Sequence, residues 1–320
     1  MLNRRILRIK AFKALYTSAL TKGTEKPMTL ADAEYLLDVS CESTRDLYLF
    51  MLGIVSPLTK IAQERIAAVQ KKRVLTEEEK NPNMKFAQNA LAKYLDSDRD
   101  FQKLFKKKNF DWTPYDIVLK KILDSAVSKE YFEQYMASPT ISLAEDCKLF
   151  TKIFEEELVG REDLDAILED MSIYWNDDLA YALTQCCRTF EALAKGEQWS
   201  LPLLYQSEMM SRLGKTVDSD KEFVVKLLRA GYSGYEKYSE MISEAVSGWE
   251  KDRMVATDVC LIVMGLAEIK TFPNIPVKVS MNEFVEISKY YGSLKSPVFV
   301  NGLLDRLVKK LAEAGEINKL

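Results

Sequence analysis

Residues 252–310 run DRMVATDVCLIVMGLAEIKTFPNIPVKVSMNEFVEISKYYGSLKSPVFVNGLLDRLVKK, and their patterning points to a helical fold. The stretch contains an apolar run that no other in the chain exceeds, Val259 to Ala267. That run falls far short of the roughly 20 residues a membrane span needs, so it reads as a helix buried in a protein core. Pro273 to Pro276 (PNIP) then breaks the pattern, because each proline biases its predecessor away from helix. Ser280 and Glu283 have the spacing of a capping box, in which a hydroxyl satisfies a free backbone N–H and the later carboxylate reaches back. Ser296-Pro297 places a capping hydroxyl before a proline at the first helical position. Beyond it Leu303, Leu304, Leu307, Val308 and Leu311 recur at helical spacing and give the final helix one apolar face.

The same signals extend outward from this stretch. Ser219 with Glu222 fits a second capping box, and Thr113-Pro114 repeats the hydroxyl–proline start. Leu47 to Val69 reads as one long, strongly apolar helix. Twelve Gly and nine Pro in 320 residues leave little turn chemistry, and no period-two alternation is long enough to argue for a sheet. The chain therefore reads as all-α. Breaks are expected at Thr76 to Met84 (TEEEKNPNM), Lys195 to Pro202, Gly214 to Asp220 and Pro273 to Pro276. An offset of 74 residues aligns Asp146 with Asp220, Trp175 with Trp249, Asp178 with Asp252, Cys186 with Cys260, and Pro202 with Pro276. This is a weak internal repeat of helix pairs, too few units for a solenoid.

Composition excludes much chemistry. The chain has no histidine, which removes the usual general base near neutral pH, the Ser/His/Asp triad and imidazole metal ligands. Cys41, Cys147, Cys186, Cys187 and Cys260 form no C-x-x-C pair, so no zinc site is expected, and their odd number reads as reduced thiols. The vicinal pair Cys186–Cys187 is a redox candidate in principle, although neighbouring helix positions point in different directions. No G-x-G-x-x-G and no strand–helix alternation is present to build a nucleotide-binding sheet domain. The expectation is a soluble cytoplasmic protein that is not an enzyme and carries no catalytic residue, cofactor or metal.

The net charge of −3 hides an uneven distribution. Residues 1–13 hold Arg4, Arg5, Arg8, Lys10 and Lys13 and no acid, and the first carboxylate is Glu25. A basic arm on an acidic body is what a phosphate-binding surface requires. At helical spacing Arg5 and Arg8 fall on the side of Phe12, Leu15 and Tyr16, extending the apolar stripe with charged heads. The same arm also fits a transit peptide or a solvated helix end without a partner. Lys106-Lys107-Lys108, among Phe105, Phe110 and Trp112, suits either single-stranded nucleic acid or a solvated helix end with its aromatics in the core.

Residues 252–310, with NIPVKVSMNEFVEISK and FVNGLLDRL as their most specific pieces, resemble the C-terminal half of the NusB family. The N-terminal RRILRIKAFKALY resembles that family's arginine-rich first helix. DLYLFML, NPNMKF and SIYWNDDL in the middle resemble a longer bacterial subgroup of it. The resemblance implies NusB-like helical bundles interrupted by a large helical insertion. Residues 1–20 would be the first helix with its RNA-binding arm, 21–214 the insertion, and 215–320 the rest of the module. It further implies a transcription antitermination factor that binds boxA, a short single-stranded RNA element, together with ribosomal protein NusE. Such a factor acts in an RNA polymerase antitermination complex, notably on ribosomal RNA operons.

By the same resemblance Arg4, Arg5, Arg8 and Phe299 would contact RNA, and Tyr16 and Asp258 would lie at the NusE surface. Where relatives carry an acid and then Ser-His-Lys, this chain has Lys295, Ser296, Pro297 and Val298. Lys295 in place of an acid should favour RNA, and Val298 in place of a base should weaken it. Ile6 and Ile9 are apolar where relatives often carry charge. Two other readings stand beside this one. In the first, a protein-only adaptor keeps the NusE surface without RNA binding. In the second, the module is fused to an rRNA cytosine methyltransferase, which the missing sheet domain opposes.

Overall fold

A computed structural model describes residues 2–202, 204–205, 209–210, 216–217, 220–246 and 254–319. Its helices begin with α1 (Arg4–Thr21), α2 (Leu30–Leu52), α3 (Val55–Gln70), α4 (Glu77–Lys80) and α5 (Ala90–Ser97). There follow α6 (Arg99–Lys107), α7 (Asp116–Val127), α8 (Glu130–Ala137), α9 (Leu143–Glu157), α10 (Glu162–Met171) and α11 (Leu179–Ala194). The last four are α12 (Asp220–Ala245), α13 (Ala256–Thr271), α14 (Val277–Tyr291) and α15 (Ser296–Glu313). The fold is all-α apart from a two-residue antiparallel ladder, β1 (Met209–Met210) with β2 (Thr216–Val217), which is too short to leave an alternating pattern in the sequence.

The chain divides into two compact units, residues 1–42 with 204–320 and residues 43–203. The sequence placed the divisions at 20/21 and 214/215. The opening half of α2 joins the first unit: Asp38 accepts from Tyr205 Oη (2.9 Å) and Lys221 Nζ (3.0 Å), and Ser40 from Lys10 Nζ (3.2 Å).

In the first unit α13 is the central helix and packs on α1, α12, α14 and α15. Its residues from Cys260 to Ile269 are all buried, as the apolar run anticipates. Gly231 lets α12 come close to it, since a Cβ there would lie 2.7 Å from Met264 Sδ. Around it Leu303, Leu304, Leu307 and Leu311 of α15 point inward, and Val308 is half-buried.

The second unit centres on aromatic stacking. The Phe50 ring lies 4.1 Å from that of Trp112 and 5.6 Å from that of Trp175, with Phe110 edge-on at 5.4 Å. Phe105, Phe110 and Trp112 therefore serve the interior, and the neighbouring lysines are left outside. The buried carboxylate of Asp146 is paired, as burial demands: it accepts from Ala90 N–H (2.6 Å) and Tyr135 Oη (2.6 Å).

Several local expectations change. Leu47–Val69 is two helices, because Pro57 has no N–H to return to the carbonyl of Gly53 and the ladder is interrupted there. Ser280 and Glu283 form no capping box; α14 has already begun at Val277, and both side chains turn toward other helices. A capping box does occur at Thr76 and Glu79, inside the acidic stretch read as a connection, where it opens the single turn of α4. Thr113-Pro114 starts a 3₁₀ turn, Thr113–Tyr115, ahead of α7.

The 74-residue offset sets α9 and α11, which pack together in one unit, against α12 and α13, which pack together in the other. Cys186 and Cys260 are buried in both, while Trp249 and Asp252 lie outside the described residues. Ser219 of the second expected capping box, and most of the expected break at Gly214 to Asp220, lie outside them too. No described helix is long and apolar enough to cross a membrane, and no cluster of metal-ligating side chains occurs among the described residues.

Candidate nucleic-acid interface

The first turn of α1 contains Arg4 and Arg5 and no acid, and Asn3 caps it by accepting from Arg5 N–H at 2.7 Å. A helix start carries a partial positive charge that ordinarily favours carboxylates. Two arginines placed there concentrate positive potential at one end of the helix. Each is held by a neighbouring helix. The Arg4 guanidinium stacks 3.9 Å from the ring centroid of Phe223 on α12. Arg5 makes a bidentate pair with Glu283 on α14, Nε–Oε2 3.1 Å and Nη2–Oε1 2.9 Å, and its side chain remains 46% exposed. The hydrogen bond to Glu283 raises the Arg5 pKa further, and the same bond holds the Glu283 carboxyl below its ordinary value.

Arg8 differs. It is only 4% exposed, and its Nε and Nη2 bind Glu268 of α13 at 2.7 and 2.9 Å. Glu268 is fully buried and also accepts from Ser280 Oγ at 2.7 Å. Arg8, expected to touch RNA, has its guanidinium committed to an interior carboxylate, and it anchors α1 to α13. Glu268 was not singled out from the sequence. The available signal was a lone carboxylate in an otherwise apolar run, which must find a buried partner.

Moving two turns along α1 from Arg5 leads to Phe12, whose ring lies 5.5 Å from that of Tyr291. Arg5 meets Glu283 and Phe12 meets Tyr291, so α1 and α14 run parallel. Tyr16 is half-buried with its ring 6.0 Å from Phe12, and Lys13 Nζ lies 5.4 Å from the Tyr291 ring centroid. Tyr16 thus belongs to the Tyr291 end of the pair, well over 10 Å along the axis from Arg5 at about 1.5 Å per residue.

The second group gathers where α15 begins. Lys295 is the exposed residue at its N-cap, and Phe299 is half-buried one turn further on. Ser296, the first residue of the helix, donates from Oγ to Asp258 Oδ2 at 3.0 Å and accepts from Ser293 N–H at 2.8 Å. Asp258 is 3% exposed in the first turn of α13, and burial raises its pKa above 3.8. It offers a partner no surface of its own. Asp258, expected at the NusE surface, ties the starts of α13 and α15 together. Its Oδ1 has no hydrogen-bond partner among the described residues. The seven expected residues therefore form two groups, Arg4, Arg5 and Arg8 in one and Lys295, Phe299 and Asp258 in the other, with Tyr16 set apart along α1.

The model of the NusB family matches residues 189–309. Three relatives, each named "Transcription antitermination protein NusB", match as well. That of Salinibacter ruber is 35% identical over 101 residues, 32% of this chain and 63% of its own length. That of Methylacidiphilum infernorum is 40% identical over 90 residues, 28% of this chain and 63% of its own. That of Myxococcus xanthus is 34% identical over 131 residues, 36% of this chain and 94% of its own. The chain thus spans less than two thirds of the first two relatives and nearly all of the third. No solved structure matches.

Proposed function

Since this chain belongs to the NusB family, we propose that it is a non-catalytic transcription antitermination factor. It would bind boxA-type single-stranded RNA together with ribosomal protein NusE, in the cytoplasm, within an RNA polymerase antitermination complex that supports ribosomal RNA operons. The observation that carries this reading is the first turn of α1. Arg4 and Arg5 stand where a helix favours acids, on a segment with no carboxylate before Glu25. That arrangement suits a phosphate ligand.

Single-stranded RNA is held by neutralising its backbone and stacking its bases on flat side chains. Arg4 and Arg5 would supply the first, and Phe299, beside the cationic Lys295, the second. Arg8 and Asp258 would act by fixing α1 and the start of α15, and Tyr16 would face NusE.

One observation favours the protein-only adaptor instead: Arg5 and Arg8 are already paired with Glu283 and Glu268. The two readings separate in a titration of fluorescein-labelled boxA RNA, with and without NusE, at several salt concentrations. Antitermination predicts selective, NusE-enhanced binding. Arg4→Gln with Arg5→Gln should flatten the log K against log salt slope by about 1.4, at roughly 0.7 per phosphate of a single strand. Arg8 is left intact because its loss would unbalance the interior. Absence of selective binding with NusE present leaves the adaptor.

A further inference from the structure

We propose that the outer face of α6 is a second nucleic-acid contact, which grips the phosphodiester backbone of a strand without reading its bases. This goes beyond the boxA reading and does not depend on it. Arg99, Lys103, Lys106 and Lys107 recur at i, i+4, i+7 and i+8, so they share one side of the helix, and all four are exposed. None of them makes an ion pair or a side-chain hydrogen bond with any described residue. Their neighbour Lys108 does, to Asp46 at 2.7 Å. The only acid in the helix, Asp100, pairs with none of the four. Acids outnumber bases in residues 43–203 as a whole, which makes four unneutralised cations on one helix a local feature.

The helix dipole does not account for them. Lys106 and Lys107 sit in the last turn, where cations are favoured, but Arg99 occupies the first turn, where they are not. Like charges one turn apart repel by a few tenths of a kcal/mol per pair, a cost that an anionic ligand would relieve. The spacing suits a polymer. Arg99, Lys103 and Lys107 climb the helix by about 6 Å per step, a reach that can follow successive phosphates.

The ligand class follows from what lies on the opposite side. Phe101 is buried, and the Phe105 ring packs so closely on Gly53 that a Cβ there would lie 2.3 Å from it. The apolar side of α6 is thus occupied by its own unit and cannot insert into a lipid surface, which membrane-binding amphipathic helices require. No aromatic remains on the cationic side for base stacking, so contact would be to the backbone alone, sequence-tolerant and steeply salt-dependent.

The test uses the full chain and three probes: a short single-stranded RNA of mixed sequence lacking boxA, a short DNA duplex, and anionic lipid vesicles. One variant carries Arg99→Gln, Lys103→Gln, Lys106→Gln and Lys107→Gln together. A second keeps the charge, with Lys103→Arg, Lys106→Arg and Lys107→Arg. All positions are exposed, and unchanged thermal unfolding checks the fold. Support is a tenfold or greater loss of nucleic-acid affinity in the first variant, with retention in the second. The salt slope should flatten by about 3 for single-stranded RNA and slightly more for duplex, and the probe that responds identifies the strand type. Unchanged affinity for both nucleic acids, or a loss confined to vesicles, overturns the proposal. Selective boxA binding with NusE, measured on the same proteins, is a separate readout, so the failure of either reading leaves the other standing.

Discussion

Arg8 and Glu268 face each other through two parallel hydrogen bonds, Nε–Oε2 at 2.7 Å and Nη2–Oε1 at 2.9 Å, with both side chains out of contact with bulk water. Breaking such a buried pair from one side leaves an uncompensated charge and costs about 3–5 kcal/mol, whereas replacing both partners with apolar groups of similar size can be neutral. Arg8→Met is therefore expected to lower stability by about that amount. Arg8→Met combined with Glu268→Leu should recover much of it, except for the Ser280 hydroxyl that then loses its acceptor. Urea unfolding of the two variants checks this. Equal losses in both would show that the pair itself, and not the stranded charge, carries the stability.

Arg5 should behave oppositely. Its side chain is 46% exposed, so the pair with Glu283 is screened by solvent and Arg5→Gln should cost only about 1 kcal/mol. Glu283→Gln removes a carboxylate that competes with phosphate for the same guanidinium, and it is expected to raise RNA affinity several-fold at low salt. Fluorescence titration reads the change. Weaker binding by the Glu283→Gln variant would mean that Glu283 positions Arg5 for RNA and does not compete with it.

Two carboxyls give opposite pH dependences. Glu283 has its folded pKa lowered below 4.5, so its contribution is present above that value and is lost as pH falls through the lowered one. Asp258 has its folded pKa raised above 3.8, so the folded state holds that proton more tightly, and stability from this group declines as pH rises past 3.8. Asp258→Asn should therefore gain on the natural protein as pH rises from 4 toward neutrality. Glu283→Gln should lose ground as pH rises through the lowered pKa of Glu283 to about 4.5, with the difference constant above that. Urea midpoints across pH supply the comparison, and parallel curves for all three proteins would contradict both assignments.

Gly53 lies between α2 and α3, where an added Cβ would stand 2.3 Å from Phe105 Cε2. Gly53→Ala is expected to displace that ring and cost about 1–3 kcal/mol, as overpacking does. Phe105→Leu in the same background should return part of the loss, which thermal unfolding would reveal; no recovery would place the strain in the backbone.

Among the cysteines, Cys41, Cys147, Cys186 and Cys260 are buried and Cys187 is half-exposed. Burial pushes the Cys187 thiol up to about 11, so it is a poor nucleophile near neutrality. A thiol reagent should label one site in the folded protein, slowly and faster with rising pH. Rapid labelling at pH 7 would contradict this environment.

The all-helical class, the buried α13 and the apolar face of α15 were legible in the residues, because helix periodicity and apolar runs are local properties of a chain. The resemblance of residues 4–16 and 252–310 to one family was legible for the same reason, since it rests on contiguous words. The basic arm was legible as composition. Its internal division was not: Arg5 and Arg8 have the same charge and nearly the same helical position, yet one stays in water and the other lies against Glu268. That outcome depends on a carboxylate 260 residues away, which no spacing along the chain reveals. The false capping box at Ser280 and the burial of Asp258 have the same origin. A hydroxyl or carboxylate near a helix start fits a local rule, but its partner is chosen by whichever helix packs alongside. The order of residues was enough to say which segments are helices and where charge collects. Which of those charges remain available to a ligand was left to the packing of the helices, because desolvation and pairing are set by neighbours in space.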